Sequence, residues 1–188
     1  MKNARKDGNS KNINFVKKMK IIKENFTLRE LNFDDCESLA KYANSINVWN
    51  NVRDYFPHPY TINDAKNFIN TVKSRANIQD FAITVNDEVV GVIGFIPCTD
   101  VERLSAEVGY WIGENFWNKG IMTEALKCLV AYIFNNTEFI RLFAPIFEFN
   151  KASMRVLEKA GFTQIAILNK AAIKNEKIIN LHYFELLK

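Results

Sequence analysis

The spacing of the apolar residues constrains the fold of this chain more than any other feature. Seven short segments show the apolar pattern of strands, whereas four others carry apolar residues at helical spacing. The strand segments are 26–31, 81–85, 89–95, 106–112, 139–147, 162–168 and 176–187. Because no repeat or linker interrupts them, we predict one α+β domain with a mostly antiparallel sheet of about seven strands and about four helices.

Capping residues mark the starts of the predicted helices. Asp34 or Asp35 can cap the first helix, and Thr61 with Asp64 has the pattern of a capping box for the second. The third helix follows Gly120.

Two of the connecting segments have recognisable sequences. The dipeptide at 86–87, Asn-Asp, predicts a hairpin between two strands. The segment 48–60 is rich in aromatic residues and contains a Pro-His-Pro break, so we expect it to be irregular.

The composition excludes several classes of protein. With 48% hydrophobic and 24% charged residues, the 188-residue chain is expected to be globular. No apolar run approaches the roughly 20 residues that span a bilayer, and no signal peptide is evident, so we expect a cytoplasmic protein without a membrane partner. Cys36, Cys98 and Cys128 form no C-x-x-C pair, which is typical of buried thiols in a reducing compartment. His58 and His182 are too few and too distant for a metal site.

The positive charge is concentrated at the start of the chain. Residues 1–24 carry eight basic and two acidic residues, so residues 25–188 have a net charge of −2 within a total of +4. We therefore predict a basic, polar and flexible leader over 1–24, with Met19 as a possible start of the functional part, and one domain over 25–188. Nucleic acid is a poor candidate partner because the body lacks a basic face.

A strand that leads through W-N-K-G-I-M-T-E-A into a helix predicts an anion site. The amides of residues 117–122 are free of helical partners and point to one place, and the helix dipole favours negative charge there. Gly120 allows close approach of a phosphate, Lys119 adds a cation, and we expect no acid in the first turn. The alternative is an ordinary helix start with an incidental Lys-Gly, and neither a P-loop nor a G-x-G-x-x-G motif is present.

A second segment, N-K-A-S-M-R-V-L-E-K-A-G-F at 150–162, has the pattern of a short capped helix. Asn150 is a suitable N-cap, and Gly161 is a suitable helix stop. On its own, the segment therefore needs no functional explanation.

Together, the two segments resemble the GNAT superfamily of acetyl-CoA-dependent N-acetyltransferases, best the branch of the ribosomal-protein-alanine acetyltransferases. The strand A-E-V-G-Y-W-I-G at 106–113 and the segment P-H-P-Y-T-I-N-D-A at 57–65 also resemble that branch. The resemblance covers 25–188 and implies a GNAT fold, whose middle strands splay apart, with acetyl-CoA as co-substrate.

The resemblance also implies which residues hold coenzyme A. The family's pyrophosphate loop carries Gln or Arg first, where this chain has Trp117, while Lys119-Gly120 is kept. The amides of the loop would wrap the diphosphate, the main chain of the strand would pair with the pantetheine arm, and Asn150 would reach a pantetheine amide. The implied contacts are Tyr110, Trp111, Ile112, Trp117, Asn118, Lys119, Gly120, Ile121, Met122, Thr123, Asn150 and Ser153.

Acetyl transfer to an amine needs a deprotonated amine, a donor for the oxyanion and a stabilised thiolate. Many family members use a tyrosine as the acid, but Leu157 stands at that position here. We expect Ser153 to replace it, the alternative being a serine on the helix surface. Glu107 is the candidate base, directly or through a water, and it could equally be a structural carboxylate. Alternation places Tyr110 on the opposite face, towards the core.

Aromatic residues before the second helix are candidates for the acceptor side. Trp49, Phe56, His58 and Tyr60 could line a substrate wall or form a hydrophobic plug. The resemblance places His182 beside the acceptor pocket, although a core histidine is the alternative, and Asn180 stands where the branch commonly has an aspartate.

The acceptor itself is left open. It could be a protein N-terminal α-amine, as the resemblance suggests, or a polyamine, an amino acid or an aminoglycoside. A coenzyme A-binding module without turnover and a nucleic-acid binder that uses the leader are alternatives from other classes. A monomer and a homodimer are both compatible with the sequence.

Overall fold

Eight strands form a single sheet in the computed structural model, which describes residues 20–75 and 77–188. The strands are β1 (Ile21–Ile22), β2 (Thr27–Glu30), β3 (Asp80–Val85), β4 (Glu88–Pro97), β5 (Ser105–Ile112), β6 (Arg141–Phe147), β7 (Thr163–Lys174) and β8 (Lys177–Leu187). The helices in the same residues are α1 (Cys36–Ala43), α2 (Ile46–Trp49), α3 (Ile62–Ser74), α4 (Ile121–Asn136) and α5 (Lys151–Lys159).

The sheet order is β1-β2-β3-β4-β5-β6-β8-β7, and every neighbouring pair is antiparallel except β5 with β6. The predicted α+β class and the mostly antiparallel sheet are therefore confirmed. The described part of the chain has one strand and one helix more than predicted. The extra strand, β1, lies within the range assigned to the leader, whose residues 1–19 are outside the described part.

The extra helix, α2, ends at Trp49 and so overlaps only the start of the segment 48–60, for which the sequence predicts an irregular course. Its single turn begins at Ser45, whose Oγ accepts hydrogen bonds from the amides of Asn47 and Val48. A one-turn helix shows no apolar period, so the pattern of residues could not reveal it.

The start of the first helix agrees with the prediction in position but not in the capping bond. Asp35 occupies the N-cap position of α1 without a side-chain cap hydrogen bond, and Asn32 is the N-cap of a 3-10 turn that runs into α1. The Asn32 Oδ1 accepts from the Asp34 amide at 2.9 Å, and the buried Asp35 carboxylate accepts from the Asn32 amide at 2.8 Å and pairs with Arg29. Asp35 therefore completes a capping box three residues after the cap.

Two other local predictions are confirmed. Thr61 and Asp64 form the predicted capping box of α3. Asn86 and Asp87 both have positive φ, at 50° and 65°, as a tight two-residue hairpin turn requires. These motifs are local, so they do not depend on the rest of the fold.

The sheet has a core on each face. Helices α4 and α5 cover the first core, which includes Ala106, Val108 and Ile112 of β5. Helices α1 and α3 cover the second core, against which Trp111 packs. Successive β5 side chains therefore serve opposite faces, as strand geometry requires. Among the described residues, no helix is long and apolar enough to cross a membrane.

The sheet opens at its centre. Strands β5 and β6 pair only over Ser105–Glu107 and Arg141–Phe143, after which β5 continues to Ile112 beside β4 alone. Both strands are longer than their shared register, so they diverge and leave a gap between residues 108–112 and the second half of β6. The predicted splay is confirmed.

Candidate active site

The loop before α4 leaves the first amides of the helix without a side-chain cap. Asn118 and Gly120 both have positive φ, at 58° and 77°, and Gly120 is the N-cap of α4 without a side-chain cap. A Cβ added at Gly120 would meet no heavy atom within 4 Å. Because Gly120 has no side chain, an anion can approach the amides of this turn closely.

The expectation that the first turn of α4 carries no acid is wrong. The helix begins at Ile121, which puts Glu124 in the first turn. Glu124 pairs with Lys127 at 2.9 Å, so its charge is compensated on the helix surface.

A cleft of about 510 Å³ lies beside this turn. Four lysines and two glutamates are among its lining residues, which leaves a positive balance suited to a phosphorylated ligand. Lys119 also lies over the ring of Phe116, at 5.3 Å. The sequence analysis missed the other charged lining residues, Lys23, Glu24, Glu124, Lys127 and Lys159. Lys127 could have been found, because it lies four residues after Thr123 on the same helix face.

Trp117 braces the loop through its side chain. Its indole Nε1 donates to the Ile112 carbonyl at 2.8 Å, which ties the loop to the end of β5. The indole is thus a structural element of the loop, and the Ile112 carbonyl already has one protein partner.

A pair of hydroxyl groups spans the gap on the side of α4 and α5. The Tyr110 phenol oxygen lies 2.8 Å from Ser153 Oγ, and burial raises the pKa of this phenol above its ordinary value. Ser153 is 8% exposed, and its amide donates to Asn150 Oδ1 at 3.1 Å. The prediction that Asn150 caps this helix is confirmed, and so is the helix stop at Gly161, where φ is 95°.

Leu157 cannot take part in proton transfer and does not reach the surface. It is fully buried in the first core, one turn along α5 from Ser153. Ser153 is therefore the hydroxyl that α5 brings to the gap, and Tyr110 is its partner from β5.

A carboxylate lies on the opposite face of β5, at the mouth of the gap. Glu107 is the last β5 residue paired with β6, and its Oε1 accepts from Arg53 Nη2 at 2.5 Å. The sequence analysis missed Arg53. It comes from an irregular loop 54 residues away, and no periodic pattern singles it out.

An aromatic wall adjoins this carboxylate. Trp49 Nε1 donates to the Phe56 carbonyl at 3.0 Å, and the Trp49 and His58 rings lie 5.8 Å apart. Phe56 meets Trp111 edge to face at 5.7 Å. The structure thus brings Trp49, Phe56 and His58 together beside β5.

For Tyr60, the structure favours the hydrophobic plug over a place on the substrate wall. It is only 5% exposed and belongs to the second core, where its ring lies 4.8 Å from that of Phe56. Burial raises the pKa of its phenol. Tyr60 therefore supports the wall from behind and does not form its surface.

Two aromatic residues that the sequence analysis missed share the face of Glu107. Phe143 is its register partner on β6, and the Phe143 and Tyr183 rings stack with centroids 6.4 Å apart. No sequence motif marks such an aromatic floor, because the register that brings its members together has to be known first.

His182 and Asn180 have structural partners. His182 pairs in register with Ile146, which packs on the first core, so it lies on the face opposite Glu107 and bonds Gln164 at 3.0 Å. The Asn180 amide group donates to Glu148 at 2.9 Å. The placement of His182 favours the structural alternative over an acceptor contact.

The tip of the β7–β8 hairpin is anchored on the loop at 50–54. Lys174 is 2% exposed, pairs with Asp54 at 2.7 Å and lies 3.7 Å from the centroid of the Trp49 ring. Asn175 donates to Asn50 Oδ1 at 2.8 Å. Three contacts thus hold the segment that carries Arg53 and Trp49.

The arrangement offers hydroxyl groups on one face of the gap and a carboxylate on the other, with a basic cleft at one end. Such a site can hold a long phosphorylated thioester and bring an amine to it from the aromatic side. No cluster of three or more histidine, cysteine or acidic residues that could bind a metal occurs in the described ranges 20–75 and 77–188.

This combination of splayed sheet and amide-rich turn defines a family, and the chain belongs to it. The family profile "Acetyltransferase (GNAT) domain" matches residues 25–163. The uncharacterized N-acetyltransferase p20 of Bacillus licheniformis is 30% identical over 169 residues, which are 88% of this chain and 94% of that protein. The ribosomal-protein-serine acetyltransferase of Escherichia coli is 30% identical over 96 residues, 51% of this chain and 53% of that protein.

A solved structure shows the same fold. The ribosomal L7/L12 α-N-protein acetyltransferase RimL in complex with coenzyme A has a TM-score of 0.78 and 18% identity, over 89% of this chain and 96% of that chain. The predicted GNAT fold and family are confirmed. The chain is an acyl-CoA-dependent N-acetyltransferase with acetyl-CoA as co-substrate.

Proposed function

We propose that this acetyltransferase acts on the α-amine at the N-terminus of a protein or peptide. The observation that carries the proposal is the ion pair between Glu107 and Arg53 at the mouth of the gap. A carboxylate already engaged by a guanidinium can take a proton from an amine only after it has loosened that contact. The site therefore suits an amine that loses its proton readily. An α-amine, with an ordinary pKa of about 8, fits better than a lysine or a polyamine near 10.4.

The comparisons support this acceptor class. One relative is named a ribosomal-protein-serine acetyltransferase, and RimL, whose fold is similar, is named an α-N-protein acetyltransferase. The aromatic wall and floor around Glu107 also give a flat, apolar surface on which an extended peptide can lie.

The residues around the α4 turn fit the coenzyme. The Trp117 amide donates to the Glu114 carbonyl, so the amides of residues 118–123 and the lysines of the cleft would hold its phosphates, and the open space at Gly120 lets them approach. Asn150 uses its Oδ1 as a helix cap, so its Nδ2 is the end that would meet a pantetheine carbonyl. The main chain of Tyr110, Trp111 and Ile112 borders the gap in which the arm would lie.

The chain's own groups can then carry the transfer. A backbone amide of β5 between Tyr110 and Ile112 would donate to the thioester oxygen, where negative charge develops. Ser153 would donate to the sulfur as it leaves. Glu107 would receive the amine proton directly or through water once the ammonium has competed with Arg53. The unpaired Cys36, Cys98 and Cys128 suit a reducing compartment such as the cytoplasm.

A panel of acceptors tests the proposal. With thiol release as the readout, peptides with a free N-terminus should react faster than N-acetylated peptides with an internal lysine, polyamines, free amino acids or aminoglycosides. A preference for any of these other amines would contradict the proposal. Thermal stabilisation by acetyl-CoA without thiol release from any amine would indicate a binding module without turnover.

The role of Glu107 is tested by Glu107→Gln, which keeps the shape and removes the proton acceptor. We expect a lower kcat/KM at neutral pH and partial recovery at high pH, where the amine deprotonates without help. Glu185→Gln is the matched control, since Glu185 also lies beside Phe143 and pairs with an arginine at 2.8 Å. Equal pH profiles for the two variants would exclude Glu107 as the base.

A further inference from the structure

The side chains of Tyr110 and Ser153 meet across the gap. The phenol oxygen lies 2.8 Å from Ser153 Oγ and 3.3 Å from the Ser153 carbonyl oxygen. Tyr110 belongs to the part of β5 that pairs with β4 alone, and Ser153 belongs to the first turn of α5. The contact therefore links the two sides of the opening.

The direction of this hydrogen bond follows from the protons available. A buried phenol has one proton and requires an acceptor for it. The acceptors within reach are the two oxygens of Ser153, of which Oγ lies at the ordinary O–H···O distance and the carbonyl lies beyond it. Because the bond to the carbonyl is long and the contact with Oγ has the ordinary length, we assign the phenol as the donor and Ser153 Oγ as the acceptor. Because burial raises the pKa of Tyr110, the phenol keeps its proton throughout the neutral range.

The donation determines what Ser153 can do. A hydroxyl that accepts from Tyr110 cannot direct its own proton back at that phenol, so its proton is available to a different acceptor. Asn150 fixes the serine from the other side, because its Oδ1 accepts from the Ser153 amide at 3.1 Å. Two contacts therefore hold Ser153 at the gap with its proton free for a ligand.

We propose that Tyr110 is a positioning residue for acetyl transfer, which orients the Ser153 hydroxyl so that its proton meets the departing sulfur of acetyl-CoA. This inference rests on the function proposed above. As the amine nitrogen bonds to the acetyl carbon, the C–S electron pair passes to sulfur, which accepts a hydrogen bond from Ser153. The ammonium loses one proton to Glu107 before it attacks, and a second proton leaves the nitrogen after the C–N bond has formed and completes the thiol. Tyr110 and Ser153 end the cycle with the protons they began with.

A double-mutant cycle in the full chain tests the inference, with thiol release and thermal melting as readouts. Ser153→Ala should lower kcat by ~10²-fold. Tyr110→Phe, which removes only the hydroxyl, should lower kcat by about tenfold. The acetyl-CoA KM and the melting shift caused by acetyl-CoA should change little in either variant. In the Ser153→Ala background, Tyr110→Phe should cause no further loss, because the group that it orients is gone.

Tyr42→Phe is the matched control, since its phenol also donates to one side chain, Glu88 at 2.8 Å at the start of β4. It should leave kcat unchanged. Native kcat in folded Tyr110→Phe, or the same loss in both backgrounds, would overturn the inference. If the unaltered protein releases no thiol with any amine, the proposed function fails instead, so the two failures can be told apart.

Discussion

At the scale of single residues, Gly120 determines how closely a ligand can approach the start of α4. Its φ of 77° suits glycine, and the space where a side chain would stand is empty. A ligand can therefore reach the amides of the following turn without a steric clash at residue 120. Close backbone contact with a phosphate depends on that openness.

We expect Gly120→Asp to raise the dissociation constant of acetyl-CoA at least about tenfold, because a carboxylate would lie against the diphosphate. The measurement is the melting temperature with and without acetyl-CoA. Gly120→Asn is the matched control, since asparagine has the same shape, no charge and a similar tolerance of positive φ. A full acetyl-CoA shift in a folded Gly120→Asp protein would exclude this turn as the diphosphate site.

Site residues with partners close in sequence were predictable, whereas those with distant partners were not. Asn150 was predictable as a cap because its partner, the Ser153 amide, is three residues away. Arg53 and Lys23 were not, because their site partners, Glu107 and the α4 turn, lie far away in sequence. The sequence could not decide between a substrate wall and a hydrophobic plug for Tyr60, because an aromatic residue that faces a cleft and one buried behind it have the same local sequence.

At the scale of elements, the β7–β8 hairpin holds the loop at 50–54, which lies beside the carboxylate at the gap. Its tip holds the loop at 50–54 through the buried Lys174 ammonium and through Asn175. The same loop supplies Arg53 to Glu107. A continuous set of contacts therefore connects the hairpin turn to the carboxylate at the gap.

We expect Lys174→Met to raise the acceptor KM severalfold and to leave the acetyl-CoA KM unchanged. Methionine keeps the apolar stem but loses the ion pair and the contact with the Trp49 ring, so the loop is held less firmly. Asp54 is 66% exposed, so its lost partner should change the free energy of unfolding by less than about 1 kcal/mol. Lys177→Met, on the exposed side of the same hairpin, should change neither KM. An unchanged acceptor KM in Lys174→Met would show that the Lys174 contacts do not position the loop at 50–54 for the acceptor.

The length of this hairpin could not be predicted from the sequence pattern. The apolar pattern predicts a strand that ends at residue 168, whereas β7 continues to Lys174. Its register with β8 shifts twice, and most of its side chains are exposed, so apolar alternation is lost along the strand. Hydrogen bonding to β8 keeps this part of the chain in a strand, although its sequence lacks the apolar alternation of a strand.

At the scale of the whole molecule, the charge is unevenly distributed. Residues 25–188 have a net charge of −2, yet lysines surround the cleft beside α4. Lys23 and Glu24, which fall within the predicted leader, line that cleft, and β1 joins the sheet just before them. The beginning of the described chain therefore belongs to the site as well as to the sheet.

We expect a chain that begins at Met19 to keep both its melting temperature and its acetyl-CoA affinity, because it retains β1 and Lys23. A chain that begins at Asn25 lacks both and should bind acetyl-CoA more weakly. Calorimetry of the two shortened proteins against the full chain makes the comparison. Weaker binding by the chain that begins at Met19 would show that residues 1–18 contribute to the site.

The three residue pairs that join β5 to β6 have a mechanical consequence. They are the one backbone seam between a half-sheet of β1–β5 and a half-sheet of β6–β8 in the described chain. Beyond the seam, the edge of β5 has a vacant hydrogen-bonding side, as the outermost strand of any open sheet has. A substrate arm that pairs there would act as a temporary strand. On that proposal, the bound ligand completes the sheet, and its release leaves the edge of β5 open again.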